Sequence, residues 1–109
     1  MAESVEQFFS QLAGNIDASK AAGMNATFQF VITGDNGGSW HVKLTQGDVQ
    51  VMRGNANAPD ITITVSDSDW LDIVSGRMNG QMAFMTGRLK IEGDVTLALK
   101  LQSLFQLKT

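Results

Sequence analysis

Few side chains in this chain could do chemistry. His41 is the single histidine and cysteine is absent, which excludes thiol nucleophiles, disulfides and metal sites built on several imidazoles. A Ser-His-Asp triad could draw only on His41, and within SWHVKLT that residue alternates against Trp40 and Val42, which predicts a solvent-facing strand position rather than a base. Asp67, Asp69 and Asp72 form the densest carboxylate group, but acidic residues at a helix start are favoured by the helix dipole alone, so capping is their expected role. GDNGGS at 34–39 has an Asp-x-Gly flavour of calcium loops without their repeated carboxylates or closing glutamate, and reads as a turn. The glycines at 76, 80, 87 and 93 never fall as G-x-G-x-x-G between a strand and a helix, so a nucleotide loop is not supported. No activated nucleophile or matched acid-base pair emerges, and neither an enzyme, nor a metal, nor a cofactor is expected.

Charge narrows the partners. The chain has 109 residues and a formal net charge of −3, the length of one domain over 1–109 and without the basic excess that phosphate backbones attract. Nucleic acid is not an expected partner. The opening MAESVEQFFSQL is acidic where a secretory signal is basic, and no stretch approaches the ~18 apolar residues of a membrane span. A cytoplasmic, soluble protein is the expectation.

The elements that must position any site follow from periodicity. From Glu3 to about Ala22, Val5, Phe8, Phe9, Leu12, Ala13 and Ile16 recur three and four apart, an amphipathic helix closed by Gly23. ATFQFVIT and SWHVKLT alternate as a hairpin around GDNGG, with Phe28, Phe30, Trp40, Val42 and Leu44 inward and Thr27, Gln29 and His41 on the wet side. VQVMR is a third strand and ITITVS a fourth, and short connections favour an antiparallel meander. Ser66-Asp67-Ser68-Asp69 opens a helix with Trp70, Leu71, Ile73 and Val74 as its stripe. NGQMAFMTG holds about two helical turns, RLKIE is a fifth strand, and the stretch after Asp94 is a closing helix with Asp94 as N-cap. The whole is α+β: a five-stranded, largely antiparallel sheet covered on one face by helices.

That closing helix is too apolar for one stripe. At about 100° per residue, Leu97, Ala98, Leu101, Leu104 and Phe105 fill one arc, and Val95 and Leu99 a second beyond Gln102. One arc can pack on the sheet, and the short helix with Met78, Met82, Phe84 and Met85 is the best partner for the other. Three of the six methionines fall between positions 78 and 85. Methionine is flexible and polarizable, so such a wall either fills an irregular core or accepts apolar guests of varied shape.

FMTGRLKIEGDVTLALKLQSLF, residues 84–105, resembles the signature of the sterol carrier protein 2 (SCP2-like) family, a G-x-L-x-I-x-G-D/N stretch followed by a leucine-rich helix. Gly87, Leu89, Ile91, Gly93 and Asp94 match it position by position. Asp69-Trp70-Leu71, Gly76 and MNGQMAFMTG are similar to the family's helical crossover, and the element order agrees along nearly the whole chain. The resemblance implies a hydrophobic tunnel for fatty acyl chains, sterols or phospholipids, in which ligand covers the surplus apolar face.

On that resemblance the expected ligand-binding residues are Trp70, Met78, Met82, Phe84, Met85, Leu97, Leu101, Leu104 and Phe105, and the expected function is non-catalytic lipid binding or transfer. Arg53, Arg77, Arg88 and Lys90 either greet a lipid head at the tunnel mouth or are scattered surface charges. The chain ends Leu107-Lys108-Thr109, unlike the Ser-Lys-Leu-type ending of peroxisomal members. Its acidic first helix, with Glu3, Glu6 and Asp17 against Lys20, speaks against electrostatic docking on anionic bilayers, so membrane contact is at most transient. The alternative is a structural, dimerisation or protein-interaction module with a filled core; the expected state is monomer or weak homodimer.

Overall fold

A computed structural model describes residues 4–16 and 23–104, the side chains at 13, 15, 99 and 101–104 excepted. Helix α1 spans Val5–Asn15, capped by Ser4, whose Oγ accepts the Gln7 N–H at 3.1 Å. It stops at Ile16, which is already extended, earlier than the expected end near Ala22; residues 17–22 lie outside the described set. Strands β1 (Asn25–Thr33), β2 (Gly38–Thr45), β3 (Asp48–Arg53) and β4 (Ile61–Ser66) follow, then helices α2 (Asp67–Ser75) and α3 (Gly80–Met85), strand β5 (Leu89–Gly93) and helix α4 (Val95–Leu104). Among the described residues no helix is long and apolar enough to cross a membrane.

The sheet order is β3-β2-β1-β4-β5. β1, β2 and β3 form the expected antiparallel meander, but β4 does not continue it. It lies parallel to β1, with Phe30 beside Ile63, and β5 pairs antiparallel with β4. Residues 54–60 therefore carry the chain from the β3 edge back across the sheet. Gln29 holds that crossing: its Oε1 accepts the Ala56 N–H at 2.6 Å, and its Nε2 donates to Trp40 O at 3.1 Å and Asn55 Oδ1 at 3.2 Å. Covered by the loop, Gln29 is buried, not wet as alternation predicts; its full set of partners removes the penalty a lone buried amide would carry. His41, half-buried beside it, places Nδ1 2.9 Å from Gly54 O.

The helical face is the core. Phe28, Phe30 and Ile32 of β1, Trp40, Val42 and Leu44 of β2, and Ile61, Ile63 and Val65 of β4 are all buried. They pack with Val5, Phe9 and Leu12 of α1 and Trp70 and Ile73 of α2. Leu89 and Ile91 continue the same face on β5, half-buried.

The stretch from Gly87 to Asp94 is a connecting device. Gly87 (φ +82°) turns the chain out of α3, and Gly93 (φ +105°) turns it into α4. At Gly93 a Cβ would also sit 2.5 Å from the Asp60 carbonyl oxygen, whereas at Gly87 it would meet open space. Asp94 then caps α4: its Oδ1 accepts the Thr96 hydroxyl and the Thr96 N–H, the latter at 3.0 Å. The Thr96 hydroxyl above all, and its N–H next, hold the Asp94 carboxyl below the ordinary aspartate value, with Lys100 adding a smaller pull.

Two outcomes follow from this geometry. Gly87→Ala should cost about 1 kcal/mol, the penalty of a left-handed residue, and Gly93→Ala about 3 kcal/mol, because backbone must also move; urea unfolding curves compare them, and equal losses would contradict the close approach. Because the folded state depresses the Asp94 titration, the ionised cap contributes fully above the ordinary aspartate range, and its contribution is lost as pH falls through the lower folded value. Carboxyl-detected NMR should place Asp94 below ordinary aspartates, and Thr96→Val should move it upward; a midpoint indifferent to that substitution would contradict the cap.

Candidate functional site

Around Trp70 the core is a cluster of aromatic rings. The Phe9 ring lies nearly parallel to Trp40 at a centroid distance of 4.6 Å and to Trp70 at 6.1 Å. Phe8 meets Trp70 edge-on at 5.4 Å, and Phe30 is tilted against it at 5.5 Å. Trp70 is 1% exposed, and its Nε1–H has no acceptor among the described residues. A buried donor left unmade costs about 1–3 kcal/mol.

The expected lining residues divide into two groups. Trp70 belongs to the core, and Met78 and Leu97 pack half-buried against it. Met82, Phe84 and Met85 of α3 are 57%, 47% and 71% exposed, and Ala83 is the residue that helix buries. Leu101 and Leu104 lie on the last turns of α4, where side chains are outside the described set, and Phe105 is outside it altogether. α3 packs against β5, and α4 against β4 and β5; among the described residues no comparable contact joins α3 to α4. The two apolar helices thus both lie against β5.

Local sequence explains their placement. Asn79 starts α3 by accepting the Gln81 and Met82 N–H groups at 2.9 and 3.2 Å. Thr86 ends it, its hydroxyl donating to Met82 O at 2.9 Å. Six residues give too short a helix to bury a full stripe, and the Ala83 methyl is all it sets into the core. α2 is capped by Ser66, whose Oγ accepts the Asp69 N–H at 3.2 Å, and ends at Gly76.

The polar candidates are spread among structural duties. Asp67 accepts the Ser68 N–H at 2.8 Å and the Asn36 N–H at 3.0 Å, tying the β1–β2 turn to α2. Asp72 pairs with Arg77 at 3.1 Å and Asp69 with Arg88 at 3.7 Å. Arg53 reaches Glu6 at 3.3 Å and lies over the Trp40 ring at 5.1 Å, far from α3 in the sheet order. Lys90 stands exposed on β5. Among the described residues no group of His, Cys, Asp or Glu is placed to hold a metal ion.

Sequence reasoning missed Phe9 and Trp40 as walls of the Trp70 cluster, and Asp60 as the anchor beneath Gly93. Aromatic side chains on the inward arcs of α1 and β2 signalled the first. Asp60, directly after the lone proline, gave no pattern to read.

Comparison with known proteins agrees with this arrangement. The profile of the SCP-2 sterol transfer family matches residues 5–106. The chain is 38% identical to peroxisomal multifunctional enzyme A of Dictyostelium discoideum over 105 residues, covering 92% of this chain and 24% of that one. It therefore spans about a quarter of the length of that curated relative. Apo sterol carrier protein 2 from Yarrowia lipolytica superposes with a TM-score of 0.78 at 26% identity, covering 92% of this chain and 88% of that one. The palmitated SCP2L2 structure from Aedes aegypti gives a TM-score of 0.74 at 29% identity, covering 94% of each chain. With the profile running from the first turn of α1 to beyond the end of α4, the chain belongs to the SCP-2 sterol transfer family, whose domains bind and transfer lipids.

Proposed function

We propose that this chain is a non-catalytic lipid carrier, taking one fatty acyl chain, sterol-like molecule or phospholipid against the apolar surfaces that flank β5. The observation that carries this reading is the pair α3 and α4: both apolar, both seated on the β5 end of the sheet, with Met82, Phe84 and Met85 left to solvent. Met78 and Leu97 supply the boundary with the core and Trp70 its aromatic floor, and Leu101, Leu104 and Phe105 complete the proposed set of ligand-binding residues. The Trp70 Nε1–H, buried with no acceptor among the described residues, suits an oxygen on a ligand. A palmitated neighbour at 29% identity supports an acyl chain as one such ligand.

The energetics favour moderate, chain-tolerant binding. Burying about twelve methylenes at ~0.8 kcal/mol each contributes ~10 kcal/mol, against an association and ordering cost of ~4–15 kcal/mol. No covalent step is needed, and none of the described carboxylates converges on the apolar helices as an acid-base pair. In this reading residues 1–109 act as a single domain, as monomer or weak homodimer, in the cytoplasm; a cysteine-free composition is compatible with that compartment.

Leu101→Asp tests the site. Placing a carboxylate on the apolar arc of α4 should weaken palmitate binding at least ~10-fold, or ~1.4 kcal/mol, in isothermal titration. A variant that keeps the far-ultraviolet spectrum of the parent and binds palmitate unchanged would contradict the assignment.

A further inference from the structure

The surface of α3 has chemistry that α1 lacks. At the described exposed positions of α1, Glu6, Ser10, Gln11 and Gly14, no side chain is apolar, while Val5, Phe9 and Leu12 are buried. α3 is the reverse: Met82, Phe84 and Met85 protrude at 57%, 47% and 71% exposure, and only Ala83 faces inward. Charge sorts the same way. The stretch 76–91 that contains α3 has Arg77, Arg88 and Lys90 and no carboxylate, whereas the rest of the chain holds all 11 carboxylates against five cations. The carboxylates nearest to the two arginines are Asp72 and Asp69, in ion pairs at 3.1 and 3.7 Å whose arginine side chains are 67% and 58% exposed. Exposed pairs of this kind are weak and exchange readily for another anion.

We propose that α3 is the element by which this protein docks on an anionic lipid bilayer, an inference that rests on the carrier reading for its purpose. Met82, Phe84 and Met85 enter the boundary between head groups and acyl chains, and Arg77 and Arg88 exchange Asp72 and Asp69 for lipid phosphates. An apolar patch flanked by arginines matches the two layers of such a surface, apolar below and anionic above. The acidic remainder of the chain is repelled by that surface, which orients the molecule with α3 toward the membrane. Ligand exchange and docking then share one side of the fold.

The absence of cysteine allows a direct test with single introduced thiols. Met85→Cys and Gln11→Cys, each labelled with an environment-sensitive nitrobenzoxadiazole dye, are mixed with phosphatidylcholine vesicles with and without phosphatidylserine. The α3 label should shift to the blue and brighten on phosphatidylserine vesicles while the α1 label stays unchanged; Arg77→Gln with Arg88→Gln should lower vesicle partition about tenfold. A silent α3 label, or a shift of the α1 label in its place, would overturn the proposal. So would a concentration-dependent dimer, seen by light scattering and abolished by Met82→Asp with Met85→Asp, since the face would then belong to a second copy. Flotation is run without added ligand and palmitate titration without vesicles. A chain that floats but takes up no palmitate defeats the carrier reading alone, and one that takes up palmitate without floating defeats the docking alone.

Discussion

Asp60 ties together β1, β4, β5 and α4. Its N–H donates to Thr27 O at 2.9 Å and its Oδ2 accepts the Thr27 N–H at 2.8 Å, so that β4 is started beside β1 in parallel. Its carbonyl accepts the Asp94 N–H at 3.0 Å and lies so close to Gly93 that no Cβ could intervene. One residue thereby sets the entry to β4, the exit from β5 and the start of α4. A parallel neighbour requires the chain to cross the sheet, and Gln29 holds that crossing in place on the face opposite the helices.

From this arrangement the molecule acquires two unlike ends. Toward β3 the core is sealed by α1, whose Phe9 lies against Trp40, and Arg53 and Glu6 close the rim. Toward β5 the strands bear Leu89 and Ile91, half-buried, and the covering helices are a single short turn-and-a-half element and an over-apolar one. Close-packed aromatic surface is a poor host for a flexible guest, and methionine and leucine on short, separately anchored helices are a good one. The proposed carrier function and the proposed docking face both reside at the β5 end for this reason.

Much of this is written in the sequence, because alternation and helical spacing report burial directly. Phe28, Phe30, Trp40, Val42, Leu44, Ile61, Ile63 and Val65 are buried where period-two patterning puts them, and Ser66, Gly76 and Asp94 bound their helices as their chemistry predicts. The motif from Gly87 to Asp94 was legible as a family signature, and its physical content emerged only in three dimensions: Gly93 answers to the Asp60 carbonyl, 33 residues away in the chain. Long-range pairing is what local pattern cannot encode. The same holds for β4, which short connections assign to a meander, and for Gln29, where alternation names the face and not the loop that covers it. Periodicity also names the apolar side of α3 without telling how little of it a six-residue helix can bury.

In the proposed function a lipid completes the apolar surfaces beside β5. Native mass spectrometry of the freshly purified protein, followed by solvent extraction and identification of whatever is released, tests it most directly. A bound species of one lipid per chain is expected, an acyl chain, sterol-like molecule or phospholipid, lost on extraction. A ligand-free mass, together with Trp40 and Trp70 emission that does not change when acyl chains are titrated in, would contradict it.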